Sequence, residues 1–106
     1  MAKMKRGAEP IHPGEILLEE FLKNYDPPVS QVDAADRMHI PKVRLNQLIR
    51  GNRGVTPDTA LRLAHFFGMS PEFWLNLQNL YELRLAEQRS GKSIKKLPTL
   101  KSTKVA

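Results

Sequence analysis

Signals for the start of a helix recur along most of this chain, and no segment shows the alternation of apolar and polar residues that is typical of a strand. Each signal places a capping oxygen at the first helical turn, or a proline, whose missing N–H costs nothing there. They are Pro13, Ser30, Pro41, Thr56-Pro57 and Ser70-Pro71. Stop signals lie between them at Asp26-Pro27-Pro28, Met38-His39, Gly51 and Gly68. This series of helix start and stop signals predicts an all-α fold.

Five helices are expected within one small domain, because 106 residues suffice for a single core. Apolar residues recur at helical spacing, as Leu17, Phe21 and Tyr25 do in the first helix. The predicted helices span residues 13–25, 30–38, 41–50, 57–67 and 71–88. The charged ends lack this periodicity, so we expect a flexible N-terminal arm over residues 1–11, a folded domain over 12–88 and a disordered basic tail over 89–106.

Composition argues against catalysis. The chain has no cysteine, which excludes disulfides, thiol nucleophiles and cysteine-ligated zinc. His12, His39 and His65 fall on separate elements without the spacing that places two ligands on one helix face. We therefore predict no enzyme activity, no metal and no cofactor. No apolar run reaches the length of a signal peptide or a membrane span, so we expect a cytoplasmic protein without a membrane partner.

Positive charge is concentrated in one short segment of the expected domain. The net charge of the chain is +6, and residues 37–53 contain five basic residues and no carboxylate. On the third helix, Lys42, Asn46 and Arg50 face away from the apolar Leu45 and Leu48. Such a face can meet phosphates and base edges together, so it favours double-stranded DNA as a partner.

The second and third helices have the lengths and the short turn of a helix-turn-helix, with His39-Ile40 between them. An ordinary helical hairpin with a solvated basic face would show similar charge. We favour the DNA-binding interpretation because the basic face also carries amide side chains, which can pair with adenine.

The fifth helix carries more apolar residues than one stripe against its own domain needs. We therefore expect a dimerisation surface on this helix, and a two-fold DNA site would suit a two-fold protein. The candidate interface residues are Phe73, Trp74, Leu77, Leu80 and Tyr81.

The chain resembles a known family of regulators. Gln31, Ala35, Ile40, Leu45 and Leu48 stand at the spacing of the Xre or lambda-repressor-like helix-turn-helix. The flanking segments HPGEILLEEFL at 12–22 and GVTPDTALRLAHFFGMSPEFWLNLQNLYEL at 54–83 closely resemble the HigA, or VapI-type, antitoxin family. The resemblance covers about residues 12–88, most of the expected folded part.

This resemblance implies a dimeric antitoxin that represses its own operon and neutralises a RelE-like, mRNA-cleaving toxin encoded by an adjacent gene. By position, Gln31 would hold the DNA backbone, while Arg44, Arg50 and Arg53 would contact phosphates, with Arg44 able to turn toward bases. The residues whose positions face bases in similar repressors are Lys42, Val43, Asn46 and Gln47.

The sequence departs from the family pattern at three places. A stiff Asp26-Pro27-Pro28-Val29 link replaces a short glycine-containing one, Ala34 replaces a leucine, and His39 stands where the family has glycine. We expect a positive φ at His39, at some energetic cost, and expect Val29 or Met38 to fill the space beside Ala34. We therefore predict that the fold is kept and that DNA affinity is weakened.

Two other functions stay open at this level. One is a stand-alone, phage-type transcriptional repressor without a toxin partner. The other is a partner-binding module whose helix-turn-helix no longer reads DNA, which the three departures motivate. For toxin contact the candidates are the N-terminal arm, the acidic first helix with Glu15, Glu19 and Glu20, and the outer face of the fifth helix.

Overall fold

The computed structural model of the protein describes residues 9–100, and in that range it contains five helical segments and no strand. They are α1, formed by consecutive turns at Pro13–Ile16, Leu17–Phe21 and Leu22–Asn24, then α2 (Gln31–Met38), α3 (Lys42–Ile49), α4 (Pro57–Phe67) and α5 (Pro71–Lys95). The prediction of an all-α, five-helix domain is confirmed. Residues 1–8 of the predicted arm and 101–106 of the predicted tail lie outside the described residues.

Helix α1 is not a uniform α-helix. Its middle turn, Leu17–Phe21, is π-helical and its last turn, Leu22–Asn24, is a 3-10 helix. The wide turn carries Phe21, whose ring packs 4.9 Å from both the Phe67 and the Trp74 ring centroids. Aromatic packing of this kind can compensate for a less favourable backbone hydrogen-bond pattern.

The predicted helix starts are confirmed by their caps. His12 accepts from the Gly14 N–H through Nδ1 at 2.9 Å, and Ser30 accepts from the Asp33 N–H at 3.0 Å. Thr56 and Ser70 cap α4 and α5 in the same way. Only α3 begins without a side-chain cap, because Pro41 stands at that position.

Helix α5 extends farther than the sequence indicated. It ends at Lys95 rather than at residue 88, so residues 89–95, which we assigned to a disordered tail, are helical. Gly91 is the sole residue in that stretch with a strong cost in a helix, about 1 kcal/mol relative to alanine, and the others cost at most about 0.7 kcal/mol each. The polar composition that suggested disorder instead belongs to an exposed helix.

The core lies where all five helices meet. Its largest fully buried side chains are Trp74, Leu17, Leu22, Leu45, Leu48, Leu63 and Pro13. Ala34 is also fully buried, with Met38 in the same cluster and Val29 packed against it. Both residues expected to compensate for the small Ala34 side chain therefore join the core.

One backbone contact fixes how closely α1 approaches α3. A Cβ atom added to Gly14 would lie 1.9 Å from the carbonyl oxygen of Leu48, which no side chain can tolerate without movement. Glycine at this position lets the start of α1 rest on the last turn of the helix that carries the basic face. The position of α1 is therefore coupled to that of α3.

Candidate nucleic-acid interface

The turn between α2 and α3 is a helix-turn-helix turn with a non-glycine residue in the left-handed region. His39 has φ 57° and ψ 45°, as expected from its position, and Ile40 behind it is buried. The Ile40 N–H donates to the Ala35 carbonyl at 2.9 Å, which closes the end of α2. A side chain in this conformation costs roughly 1 kcal/mol, so the surrounding packing must hold the turn.

Helix α3 presents the predicted contact residues at the surface to different degrees. Lys42, Arg50 and Arg53 are exposed, and Val43 is exposed to 68% although it is apolar. Gln31, Arg44, Asn46 and Gln47 are half-buried. An exposed valine can contact the methyl group of a thymine, and the neighbouring amides can hydrogen-bond to an adenine.

A hydrogen bond joins the two helices of the motif at their exposed edge. Asn46 donates through Nδ2 to the Oε1 atom of Gln31 at 3.1 Å. Gln31 is the first residue of α2, where the helix N-terminus offers unpaired N–H groups to an anion. The bond therefore links a side chain expected to face bases with one expected to contact the DNA backbone.

A second pair links α3 to the loop that follows it. Arg53 donates to the Oε1 atom of Gln47 through both Nε, at 3.1 Å, and Nη2, at 3.0 Å. These two hydrogen bonds hold the Gln47 amide in one orientation and leave its NH₂ group available to an acceptor. They also place the Arg53 charge next to the side chain that we expect to read bases.

Arg44 differs from the other basic residues because part of its guanidinium is enclosed. Its Nε atom is buried without a hydrogen-bond partner among the described residues. The hydrogen bond that Arg62 donates is the main reason that the pKa of Asp58 lies below its usual value, and the charges of Arg62 and Arg44 add to the effect. The Arg44 charge therefore acts on the start of α4 as well as on the surface of α3.

His12, at the start of α1, contacts both α5 and the loop that follows α3. Its ring meets that of Tyr81 edge-on, with centroids 4.7 Å apart, and lies 3.8 Å from a Cβ position built on Gly51. Burial lowers the pKa of His12, and its hydrogen bond to the Arg53 backbone opposes that shift. His12, which caps α1, therefore also supports the loop that carries Arg53.

The same loop is held from α5 by Gln78. This buried side chain accepts from the Val55 N–H at 2.8 Å and donates to Glu82 at 3.0 Å. A Cβ atom on Gly54 would lie 2.9 Å from the Gln78 amide, so the loop approaches α5 closely. Sequence reasoning did not single out Gln78, because an amide on an apolar helix gives no signal of its partner.

The residues predicted for a dimer interface separate into two groups. Trp74 is fully buried inside the protomer and has no surface for a second chain, so it is removed from that set. The sequence alone does not distinguish a core position from an interface position for this apolar side chain. In the structure, the aromatic rings of Phe21, Phe67 and Phe73 surround it. Leu77 and Tyr81 are half-buried, whereas Phe73 and Leu80 are exposed, at 38% and 47%.

Comparisons with known proteins agree with this geometry. A family model described as Helix-turn-helix matches residues 29–74. Virulence-associated protein I of Dichelobacter nodosus is 47% identical over 78 residues, which cover 74% of this chain and 70% of the relative. An addiction module antidote protein of the HigA family from Coxiella burnetii is 49% identical, with a TM-score of 0.81 over 88% of this chain and 99% of its own.

The Pseudomonas aeruginosa antitoxin HigA, solved with the higBA promoter, is 39% identical, with a TM-score of 0.80 over 87% of this chain and 99% of its own. The fold and the basic α3 face define a helix-turn-helix DNA-binding protein of the transcription-regulator class. More narrowly, the chain belongs to the HigA family of antitoxins.

Residues 9–100 contain neither a membrane-spanning helix nor a cluster of metal ligands. None of the helices there combines the length and the apolar character needed to cross a membrane. Nor do three histidine, aspartate or glutamate side chains converge anywhere in that range as metal ligands would.

Proposed function

We propose that this protein is an antitoxin that binds its operator as a homodimer, represses its own operon and neutralises a RelE-like toxin encoded by the adjacent gene. The observation that carries the DNA-binding part is the exposed edge of α3, where Val43 and the held amides of Asn46 and Gln47 lie among basic side chains. Family membership supports the toxin part.

Sequence reading at the operator is assigned to Lys42, Val43, Asn46 and Gln47, and positioning on the backbone to Gln31, Arg44, Arg50 and Arg53. The two internal hydrogen-bond pairs support this division. Each pair joins one group from the first set to one from the second, so docking on phosphates would orient the base-reading amides. Such preorganisation reduces the side-chain entropy lost on binding.

The DNA assignment is tested by titrating the duplex upstream of the protein's own reading frame and a scrambled duplex of equal length. Gln47→Ala is expected to lose about 1–3 kcal/mol on the operator and little on the scrambled duplex, since it removes base contacts. Arg50→Ala is expected to weaken both duplexes and to lower the salt slope by about 1.

Arg53→Ala should show both effects, because it removes a charge and also releases the Gln47 amide. A double-mutant cycle between Gln47 and Arg53 measures that coupling. Arg89→Ala, a change of equal charge on α5, serves as the control and is expected to leave operator preference unchanged. If all four variants weaken the two duplexes equally, the base-reading assignment is wrong.

The toxin part is tested in cells that express the adjacent small reading frame, with and without this protein supplied from a second plasmid. Growth arrest that this protein reverses, together with copurification of the two proteins, is the expected result. A harmless or non-binding neighbour would contradict the toxin assignment and leave a stand-alone repressor as the function. Equal, weak binding to specific and scrambled DNA would instead indicate a partner-binding module.

A further inference from the structure

The two amide side chains at the exposed edge of α3 are held by opposite ends. Gln47 is held through its oxygen, because Oε1 accepts from Nε of Arg53 at 3.1 Å and from Nη2 of Arg53 at 3.0 Å. An amide oxygen has two lone pairs, so these bonds leave the NH₂ group as the free part of Gln47. Asn46 is held through its nitrogen, since Nδ2 donates to Oε1 of Gln31 at 3.1 Å, and its oxygen is left as an acceptor.

These two arrangements suit different bases in the major groove. Adenine presents the N7 acceptor beside the N6 amino donor, and an amide pairs with both only if its oxygen and its nitrogen are free. Guanine presents two acceptors, N7 and O6, and no donor on that edge. A side chain that offers only donors therefore fits guanine and is opposed by the N6 amino group of adenine. Asn46 keeps the pattern that suits adenine, whereas Gln47 does not.

Arg53 adds further donors beside Gln47. Its guanidinium is always charged, carries N–H donors on all three nitrogens and has no acceptor. The bonds to Gln47 use Nε and one hydrogen of Nη2, so the other donors stay available at this exposed side chain. Gln47 and Arg53 together therefore offer donors, and no acceptor, to a base edge.

Contacts within the protein hold Arg53 in this position. The Asn52 N–H donates to the Gln47 carbonyl at 2.8 Å, which ties the loop to the end of α3. The Arg53 backbone is hydrogen-bonded to His12, whose ring is in turn packed edge-on against the Tyr81 ring at 4.7 Å. Because these contacts do not involve DNA, the orientation of the Gln47 amide is set before an operator binds.

We infer that Gln47 reads a guanine, so that the operator base pair facing it is G·C, and that Arg53 is the residue that sets this choice. The N7 and O6 atoms of the guanine accept from the donors of Gln47 and Arg53. The inference rests on the proposed base-reading role of Gln47 and names the base that it reads. It differs from the adenine that an amide with both ends free would favour.

The contacted base pair is located by titrating the full-length protein and Gln47→Ala against the duplex upstream of the protein's own reading frame and against copies that each carry one substituted base pair. At the position read by Gln47, substitution should weaken the wild-type protein and have little effect on Gln47→Ala. We expect a G·C pair there. Its replacement by A·T should weaken wild-type binding by about fivefold or more, and binding of Gln47→Ala by about twofold or less.

Arg53→Lys tests whether the arginine sets the choice of base. Lysine keeps the charge but cannot hold the Gln47 oxygen with two bonds from a planar group, so the amide is free to turn. The preference for G·C over A·T at this position is expected to fall to about twofold or less, while the salt slope is unchanged. Arg50→Lys, a charge-conserving change at another exposed arginine, is the matched control and should keep the preference.

The outcomes separate this inference from the proposed function. If the position that depends on Gln47 holds any pair other than G·C, or if Arg53→Lys keeps the full preference for G·C, the inference is wrong and the base-reading role of Gln47 stands. If no base pair of the operator depends on Gln47, the base-reading assignment itself fails and this inference fails with it.

Discussion

At the scale of single residues, the DNA-facing surface depends on groups that do not themselves face DNA. Gly14, His12 and Gln78 each hold a backbone segment next to α3 or the loop after it. None of them carries the charge or the amide expected to meet a nucleic acid. The geometry of the contact residues is therefore set by packing behind them.

Gly14→Ala is expected to destabilise the protein by about 1–3 kcal/mol, because the added methyl group would overlap the Leu48 carbonyl and force α1 away from α3. Chemical denaturation measures the change in the free energy of unfolding. Gly68→Ala is not a suitable control, because that glycine has φ 69°. Gly91→Ala is suitable, since a Cβ atom there would meet only the Glu87 side chain at 3.9 Å, so the change should be neutral or stabilising by up to about 1 kcal/mol.

Stability should also depend on the protonation of His12. Burial lowers its pKa in the folded state below the ordinary histidine value of 6.5, so the folded protein binds fewer protons than the unfolded chain near that pH. The contribution of neutral His12 to the free energy of unfolding is complete above about pH 6.5. It is lost as the pH falls toward the lowered pKa. The melting temperature should therefore fall as the pH is lowered from 7.5 to 4.5.

His12→Asn provides the matched variant for that experiment. Asparagine can still accept from the Gly14 N–H as an N-cap but has no titrating group, so the melting temperature should depend less on pH. His65→Asn, at an exposed position on α4, is the control. An equal pH dependence in the wild-type protein and His12→Asn would contradict the assignment.

At the scale of elements, the helix-turn-helix contains one strained position. His39 ends α2 at φ 57°, where glycine has no Cβ penalty. His39→Gly is therefore expected to stabilise the protein by up to about 1 kcal/mol, and relief of strain in this turn should not weaken operator binding.

The control for this prediction introduces the same residue three positions earlier. Asp36→Gly, within α2 at an exposed site, is expected to destabilise the protein by about 1 kcal/mol, because glycine is unfavourable in the interior of a helix. Opposite signs for the two substitutions in thermal unfolding would support the strain argument. Destabilisation by both would indicate that the His39 side chain contributes a contact that offsets the strain.

At the scale of the whole molecule, α5 serves both the core and the proposed assembly through different faces. Trp74→Ala is expected to cost about 3–5 kcal/mol, because the indole is fully buried among aromatic rings. The sedimentation of the fraction that remains folded should still show a dimer.

Leu80→Asp should have the reverse effect. Leu80 is exposed to 47% in the protomer, so the cost to protomer stability is expected within about 0.5 kcal/mol, while the dimer shifts toward monomer. Sedimentation and chemical denaturation of both variants separate the two roles. A Trp74→Ala protein that is stable but monomeric would place Trp74 at the interface after all.

The sequence by itself determined the helices, since caps, prolines and apolar spacing act within a few residues of each other. It also indicated the basic face of α3, which is a local property, while the resemblance to the helix-turn-helix family implied the positive φ of His39. It misjudged the end of α5 and the role of Trp74. An apolar residue looks the same in sequence whether its own domain or a second copy covers it, and an exposed helix has the composition of a tail.

Only the tertiary structure decided which distant groups meet. Gln31 and Asn46 are 15 positions apart, Val55 and Gln78 are 23 apart, and His12 reaches both Arg53 and Tyr81. No local pattern encodes these pairs, because they depend on the angle and distance at which the helices pack. Gly14 shows the reason: its missing side chain acquires meaning only when the Leu48 carbonyl comes to rest against it.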